Sequence, residues 1–383
     1  MTNKNQREEN SEAICYNNQS NFQKANGRNK RDWRYVLYEN VKEQGGDKVI
    51  YVSHMLSPHR WRVTIDLCDD LNTVAYKNLL AMGYKDVSKD DALNLYYNCI
   101  KRKVNRSPRK VYVAKEMKCP EGYEVALAEF ISKVESGENL VPFQSQKILQ
   151  VDYNDLLLND WNIHHFHLTR RMRTDGFACR SKYQLFAYIT DVSFYIIQIY
   201  PHDTVDLYSR QDMVRILHNN WPEAISRYRI KGAESLLEEI DDHQYGQLRN
   251  SHISTFVEVE KGCIYGMLRG GYMSDGFSTE VLMAADKWRR IAQVFEEQII
   301  NNMNTTQLTL ENYIGKPVKE FEYHLLWIDS EDEFTLVERK SHTILQYNLK
   351  KGYFRICYPS YVFGDTIDSI LGRCRVPGMI CFA

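Results

Sequence analysis

Apolar positions recur along the chain with two spacings, alternate residues in strands and every third or fourth in helices. Lys48–Met55 and Arg60–Cys68 are rich in β-branched and aromatic residues and read as strands. Asp69–Met82 reads as a helix, with Asp69 or Asp70 as N-cap and Gly83 as its stop. Ser88–Val104 opens on Ser-Lys-Asp-Asp and sets Leu93, Tyr96, Tyr97 and Ile100 on one helical face. Arg109–Met117 alternates as a short strand. Pro120–Val134 reads as a helix with proline in its first turn and Gly137 beyond its end.

Three strand-like runs follow: Trp161–Leu168 (WNIHHFHL), Lys182–Ile189 and Phe194–Tyr200. The short link Thr190–Ser193 makes the last two an antiparallel hairpin. Ser209–Asn220 is a helix that ends ahead of Trp221-Pro222. His252–Glu260 and Ile264–Leu268 form a hairpin around Lys261-Gly262. Val281–Asn302 is a long amphipathic helix, followed by strands Glu322–Ile328, Glu333–Glu338 and Tyr353–Cys357. No internal repeat is read. The expected class is α+β, in several small mixed units with antiparallel sheets and packed helices. Residues 1–31, rich in Asn, Gln, Lys and Glu, are expected to be a disordered tail, with order beginning near Trp33. Residues 32–109, 110–228 and 229–383 are expected as three consecutive units.

Composition narrows the function classes. At 383 residues, two or three domains are expected. The formal net charge is −1, so no global field recruits nucleic acid or membrane, and any polyanion site is a local patch. Nine cysteines form no C-x-x-C pair and point to a reducing compartment without a disulfide framework. No stretch approaches the ~20 apolar residues of a membrane helix. A cytoplasmic protein with no membrane partner is expected.

Chemistry concentrates in one segment. Five of eleven histidines lie between positions 161 and 220: His164, His165, His167, His202 and His218. Strand alternation places His165 and His167 on the face of Trp161 and Ile163, and His164 on that of Phe166 and Leu168. Arg170, Arg171 and Arg173 follow, and Pro201-His202-Asp203 closes the third run. Imidazoles titrate near neutrality and move protons, while guanidinium groups bind phosphate and offset its developing charge. His165, His167, Arg171 and His202 are therefore the expected catalytic groups, with Arg170 and Arg173 on phosphate. Such a set cleaves RNA without metal or other cofactor, because the ribose 2′-OH is the nucleophile. The competing readings are a core strand whose imidazoles bond backbone, and a Zn²⁺ or Mn²⁺ site of H-x-H with His202 and Asp203.

The order helix, helical turn and three antiparallel strands from Pro120 to Tyr200, with Tyr183-Gln184-Leu185-Phe186-Ala187-Tyr188 in the hairpin, resembles the RelE/ParE toxin fold. The resemblance covers about a fifth of the chain and rests on pattern. It implies a ribosome-associated or free ribonuclease, with Arg171, Tyr188 and His202 matching the family by residue type. The large flanking segments depart from that family and suit a larger toxin or antiphage effector, with RNA rather than DNA as partner and a protein partner or antitoxin.

Two further segments bear on nucleic acid. The run from Lys101 to Lys110 carries six cations in ten residues and ends a helix. Lys101, Arg102 and Lys103 are its candidate phosphate ligands, and a solvated helix end is the plain alternative. Glu338-Arg339-Lys340 after Asp329 imitates the acidic and E-x-K pattern of metal-dependent nucleases. The Gly-rich Leu268–Gly276 matches neither a Walker A nor a dinucleotide fingerprint and reads as a turn. No kinase loop, nucleophile elbow or H-E-x-x-H is present, which argues against those enzyme classes. The leading expectation is an RNA-cleaving effector. The alternatives are a non-enzymatic binding or sensing protein, whose histidine strand is core, and a metal-dependent nuclease.

Overall fold

The computed structural model describes residues 36–42, 48–54, 60–341, 343–348, 350 and 353–359. The expected tail over 1–31 and the onset of order at Trp33 lie outside these residues. The chain opens with strands β1 (Val36–Lys42), β2 (Lys48–His54) and β3 (Arg60–Ile65) and helix α1 (Leu67–Ala81). Then come α2 (Ala92–Arg102), β4 (Lys110–Val113), α3 (Glu124–Ser136), α4 (Leu156–Trp161), β5 (Ile163–His167), β6 (Tyr183–Ile189) and β7 (Ser193–Pro201). Next are α5 (Asp212–Asn220), α6 (Pro222–Ile225), α7 (Asp242–Asn250), β8 (Val257–Glu260) and β9 (Cys263–Tyr265). The chain continues through α8 (Thr279–Asn301), α9 (Met303–Ile314), β10 (Glu320–Ser330), β11 (Glu333–Glu338), β12 (Thr343–Asn348) and β13 (Tyr353–Pro359). Helices and mainly antiparallel sheets make the protein α+β.

Two compact units result, one from the described residues before 78 and after 287, the other from residues 78–287. The first is built on a seven-stranded sheet of order β1-β2-β3-β10-β11-β12-β13. Its β3–β10 pair is parallel and the others are antiparallel. This division differs from the three consecutive units read from the sequence. Periodicity identifies a strand but not a partner more than two hundred residues away. Ala292, Phe295 and Ile299 form a buried stripe on α8, and the Phe295 ring stacks on Phe334 at 3.8 Å. The Asp66 carboxylate accepts the Asp69 amide at 2.9 Å, so α1 is capped there rather than at Asp69 or Asp70. Asp70 instead accepts the Leu325 amide at 2.7 Å.

The second unit holds a four-stranded sheet of order β4-β7-β6-β5, with β4 parallel to β7 and the rest antiparallel. Strand alternation supplies two cores. One face carries Trp161, Ile163, Phe186 and Tyr188 against Met213 and Leu217 of α5 and Tyr245 of α7. The other carries Phe166, Leu168, Leu185 and Phe194 against Leu127, Phe130 and Val134 of α3. Gly137 ends α3 at φ 75°, a left-handed cap that glycine adopts without strain.

A local repeat, absent from the sequence reading, emerges here. Arg173-Thr174-Asp175-Gly176-Phe177 follows β5, and Met273-Ser274-Asp275-Gly276-Phe277 follows β9. In each, the first amide donates to the phenylalanine carbonyl, at 2.7 and 2.9 Å. The phenylalanine amide donates to the aspartate Oδ1, at 3.1 and 2.9 Å. The glycines sit at φ 83° and 84°. Bridges Met172–Ala178 and Tyr272–Ser278 close the two turns. The copies share Asp-Gly-Phe, the carboxylate acceptor, the positive-φ glycine and the phenylalanine whose amide bonds the carboxylate, while the first two positions vary.

Candidate functional site

The site forms on one face of the second unit's sheet, at the end where β5 and β7 both finish. β5 is an edge strand, and β6 pairs it with His165 opposite Phe186 and His167 opposite Gln184. The His165 ring lies 6.0 Å from that of Phe186 and meets Tyr208 edge-on at 5.3 Å. The Tyr208 hydroxyl donates to Gln184 Oε1 at 3.0 Å. His202 follows Pro201, and its amide donates to the Lys182 carbonyl at 2.8 Å, which draws it beside the start of β6. Its ring is parallel to that of His167, with centroids 6.3 Å apart. Arg180 closes the group, with Nη2 3.2 Å from Nδ1 and 3.0 Å from Nε2 of His202. A guanidinium only donates, so the ring nitrogen that bonds it accepts.

The histidines differ in how they are satisfied. His164 is buried on the opposite face, 3.5 Å from the Gln144 amide nitrogen, and is a core histidine. His165 and His167 each hold a buried Nδ1 that no protein group bonds. Burial pushes the His167 imidazole down to about 4, and His165, His202 and Arg180 add to the shift. Burial also lowers His165, with Asp155 opposing and His202 and Lys147 assisting. Both rings are therefore neutral at neutral pH.

The arginines after β5 go elsewhere. Arg171 is exposed at the base of its turn, where its carbonyl accepts the Cys179 amide at 2.8 Å. Arg170 pairs with Glu129 at 2.9 and 3.0 Å, beside a cleft of about 370 Å³ that Phe130, Phe143 and Leu168 line. Those residues belong to the face opposite His165 and His167. Arg173 pairs with Asp175 at 2.9 Å and with Gln146 at 3.2 Å. Tyr188 is fully buried in the core. Thus His165, His167 and His202 converge, while Arg170, Arg171, Arg173 and Tyr188 are not part of that cluster. Arg180, Tyr208 and Gln184 are, and no spacing in the sequence singles them out.

The basic run does not form an open patch. Arg102 is buried and donates to Asn98, Gln150 and Val151 carbonyls at 3.2, 2.9 and 3.3 Å. Lys101 is buried against the Ser278 hydroxyl and Glu280, and burial pushes its ammonium down to about 8. Lys103 lies 4.9 Å over the Tyr84 ring. These three are tied inward because carbonyls and an aromatic face, not solvent, meet the end of α2.

The E-x-K pattern also resolves differently. Glu338 is fully buried and accepts the amides of Glu322, Lys340 and Ser341 at 2.7, 3.2 and 2.7 Å. The Lys340 ammonium pairs with Glu322 at 3.2 Å. The Asp329 side chain lies outside the described residues. Among the described residues, groups with metal-ligand spacing are His218/Glu260/Cys263 and Asp66/Cys68/Glu296, not the β5 histidines. No described helix is long and apolar enough to cross a membrane.

Comparison with protein-family models, with curated proteins and with solved structures finds no match for the chain.

Proposed function

We propose that the protein is an RNA-cleaving effector, a toxin or antiphage enzyme of the cytoplasm, whose site is the His165–His167–His202–Arg180 cluster. The observation that carries the reading is the parallel His167 and His202 pair held against the Arg180 guanidinium. A neutral His167 accepts the proton of a ribose 2′-OH, whose oxygen attacks the adjacent phosphorus. Arg180 stands in for the arginines that the sequence offered, Arg170, Arg171 and Arg173, and offsets charge on the transferring group. His202, on the other side of the pair, serves as the acid that gives a proton to the departing 5′ oxygen. The products are a 2′,3′-cyclic phosphate and a 5′-hydroxyl, and DNA, which lacks the nucleophile, is not cut. His165 positions the site through its contacts with Tyr208 and Phe186.

Purified full-length protein is incubated with RNA and EDTA, beside His167→Ala, His202→Ala and Arg180→Ala. Cleavage is expected to persist in EDTA and to fall about 10²–10⁴-fold in the histidine variants. Its acid limb is expected near pH 4, because His167 stays unprotonated down to about 4. Absence of cleavage favours a binding protein, dependence on metal favours the metal nuclease, and unchanged histidine variants sink the site.

A further inference from the structure

A second cluster lies away from the β5 histidines, where the end of α5 meets the β8–β9 hairpin. His218 is in the last turn of α5, Glu260 ends β8, and Cys263 and Tyr265 lie on β9. The hairpin between Glu260 and Cys263 is tight, which brings carboxylate and thiol to the same ring. His218 Nδ1 lies 4.0 Å from Cys263 Sγ and 2.9 Å from the Tyr265 hydroxyl. Its Nε2 lies 3.4 Å from Glu260 Oε1. One ligand atom from each of His218, Glu260 and Cys263 falls within 4.8 Å of the others.

We propose that His218, Glu260 and Cys263 form a zinc site. Thiolate, imidazole and carboxylate are the donor types this ion takes. Bonds of about 2.0–2.3 Å place tetrahedral ligands roughly 3.3–3.8 Å apart. The 4.0 Å between Nδ1 and Sγ therefore closes with a small shift. Glu260 faces the other ring nitrogen, and its side chain is 67% exposed, so it is the ligand free to swing toward the metal. Cys263, at 1% exposure, supplies the fixed ligand and is sheltered from bulk oxidants. Binding displaces the thiol proton and leaves the thiolate on zinc. Three protein ligands leave a fourth position for water beside the Tyr265 hydroxyl. Functionally, the ion clamps the hairpin to α5, which packs on the sheet that carries the candidate nuclease face.

The other group with this spacing is a weaker candidate. Its Asp66 carboxylate is occupied by the Asp69 amide at 2.9 Å, and Glu296 by the Leu67 amide at 2.7 Å. Those bonds serve the start of α1.

The test strips full-length protein with chelator and reloads it with Zn²⁺ or Co²⁺. One metal equivalent and a thiolate-to-cobalt charge-transfer absorption are expected. Cys263→Ser abolishes both, and Cys68→Ser leaves both intact. Glu260→Gln, at an exposed position that folding tolerates, weakens zinc binding at least roughly tenfold, the lower end for loss of even an outer partner. This variant decides the question if Cys263→Ser fails to fold. Lack of a stoichiometric metal, absorption that survives Cys263→Ser, or full affinity in Glu260→Gln overturns the site.

Discussion

Arg249 offers a sharp quantitative test of how the second unit is held together. Its guanidinium donates to Asp160 Oδ2 through Nε at 3.0 Å and Nη2 at 2.8 Å. The Tyr245 hydroxyl adds a bond at 3.1 Å, and the guanidinium lies 4.1 Å over the Trp161 ring. Both charged side chains are buried, at 4% and 0% exposure. In Arg249→Met, two charge-assisted bonds of about 1.5–3 kcal/mol each are lost. Asp160 keeps only the Tyr245 donor, and an unpaired buried charge results. The expected cost is about 3–5 kcal/mol. Burial already pushes the Asp160 carboxyl up against the pull of Arg249, so the variant pushes it further. A folded value above the unfolded one means that the folded state holds the proton more tightly. Stability of Arg249→Met therefore falls as pH rises from about 4 through the folded value. The double variant Asp160→Leu/Arg249→Met contains neither charge and recovers most of the loss. Urea unfolding, followed by tryptophan fluorescence and circular dichroism together, measures all three. A single-variant cost below about 1 kcal/mol, or a double variant as unstable as the single, refutes the reasoning. Arg249 also donates to the Tyr208 carbonyl, so Arg249→Met is expected to loosen the ring that packs on His165.

Two further outcomes follow from local geometry. Gly137→Ala forces a Cβ at φ 75° to within 2.6 Å of the Pro108 backbone nitrogen, and a loss of more than about 1 kcal/mol is expected in chemical denaturation. His324 is lowered by burial but raised overall by Asp70 at 3.1 Å and by Glu322 at 3.4 Å. Its contribution is thus complete below the unfolded value of about 6.5 and disappears as pH rises through the folded one. His324→Gln is expected to flatten that part of the stability–pH curve, and an unaltered curve contradicts the assignment.

Local signals were legible where the chain itself enforces them. The Thr190–Ser193 link does close a hairpin, with the Thr190 amide donating to the Ser193 carbonyl at 2.9 Å. Gly137 does end its helix. Among the described elements, β1, β12, α6, α7 and α9 escaped the reading. The sequence of α9, MNTTQLTLENYI, has weak intrinsic helix preference, and burial of Met303 and Leu310 supports it instead. Helix α7 contains Gly246, whose Cβ would come 2.9 Å from Ser209 Oγ, so close approach explains a residue that reads as a breaker. The parallel β3–β10 pair has no local signature at all.

The candidate site shows the same limit more finely. Alternation separated His164 from His165 and His167 correctly as to face, because β5 is regular through His167. Past the strand, at Arg170, Arg171 and Arg173, alternation no longer applies. Beyond Leu168 the chain turns back on itself through the Met172–Ala178 bridge. Arg170 therefore reaches Glu129 on α3, and Arg173 reaches the carboxylate of its own turn. The returning arm delivers Arg180 to His202 instead. A cation on the returning arm lies beside the strand end it left, although nothing in its sequence neighbourhood marks it. The Asp-Gly-Phe turn is thus what exchanges one arginine for another at this face. Its second copy after β9 leads in the same way to Ser278 and Glu280, the partners of Lys101. In both places the turn's return brings a polar side chain to a neighbour remote in sequence.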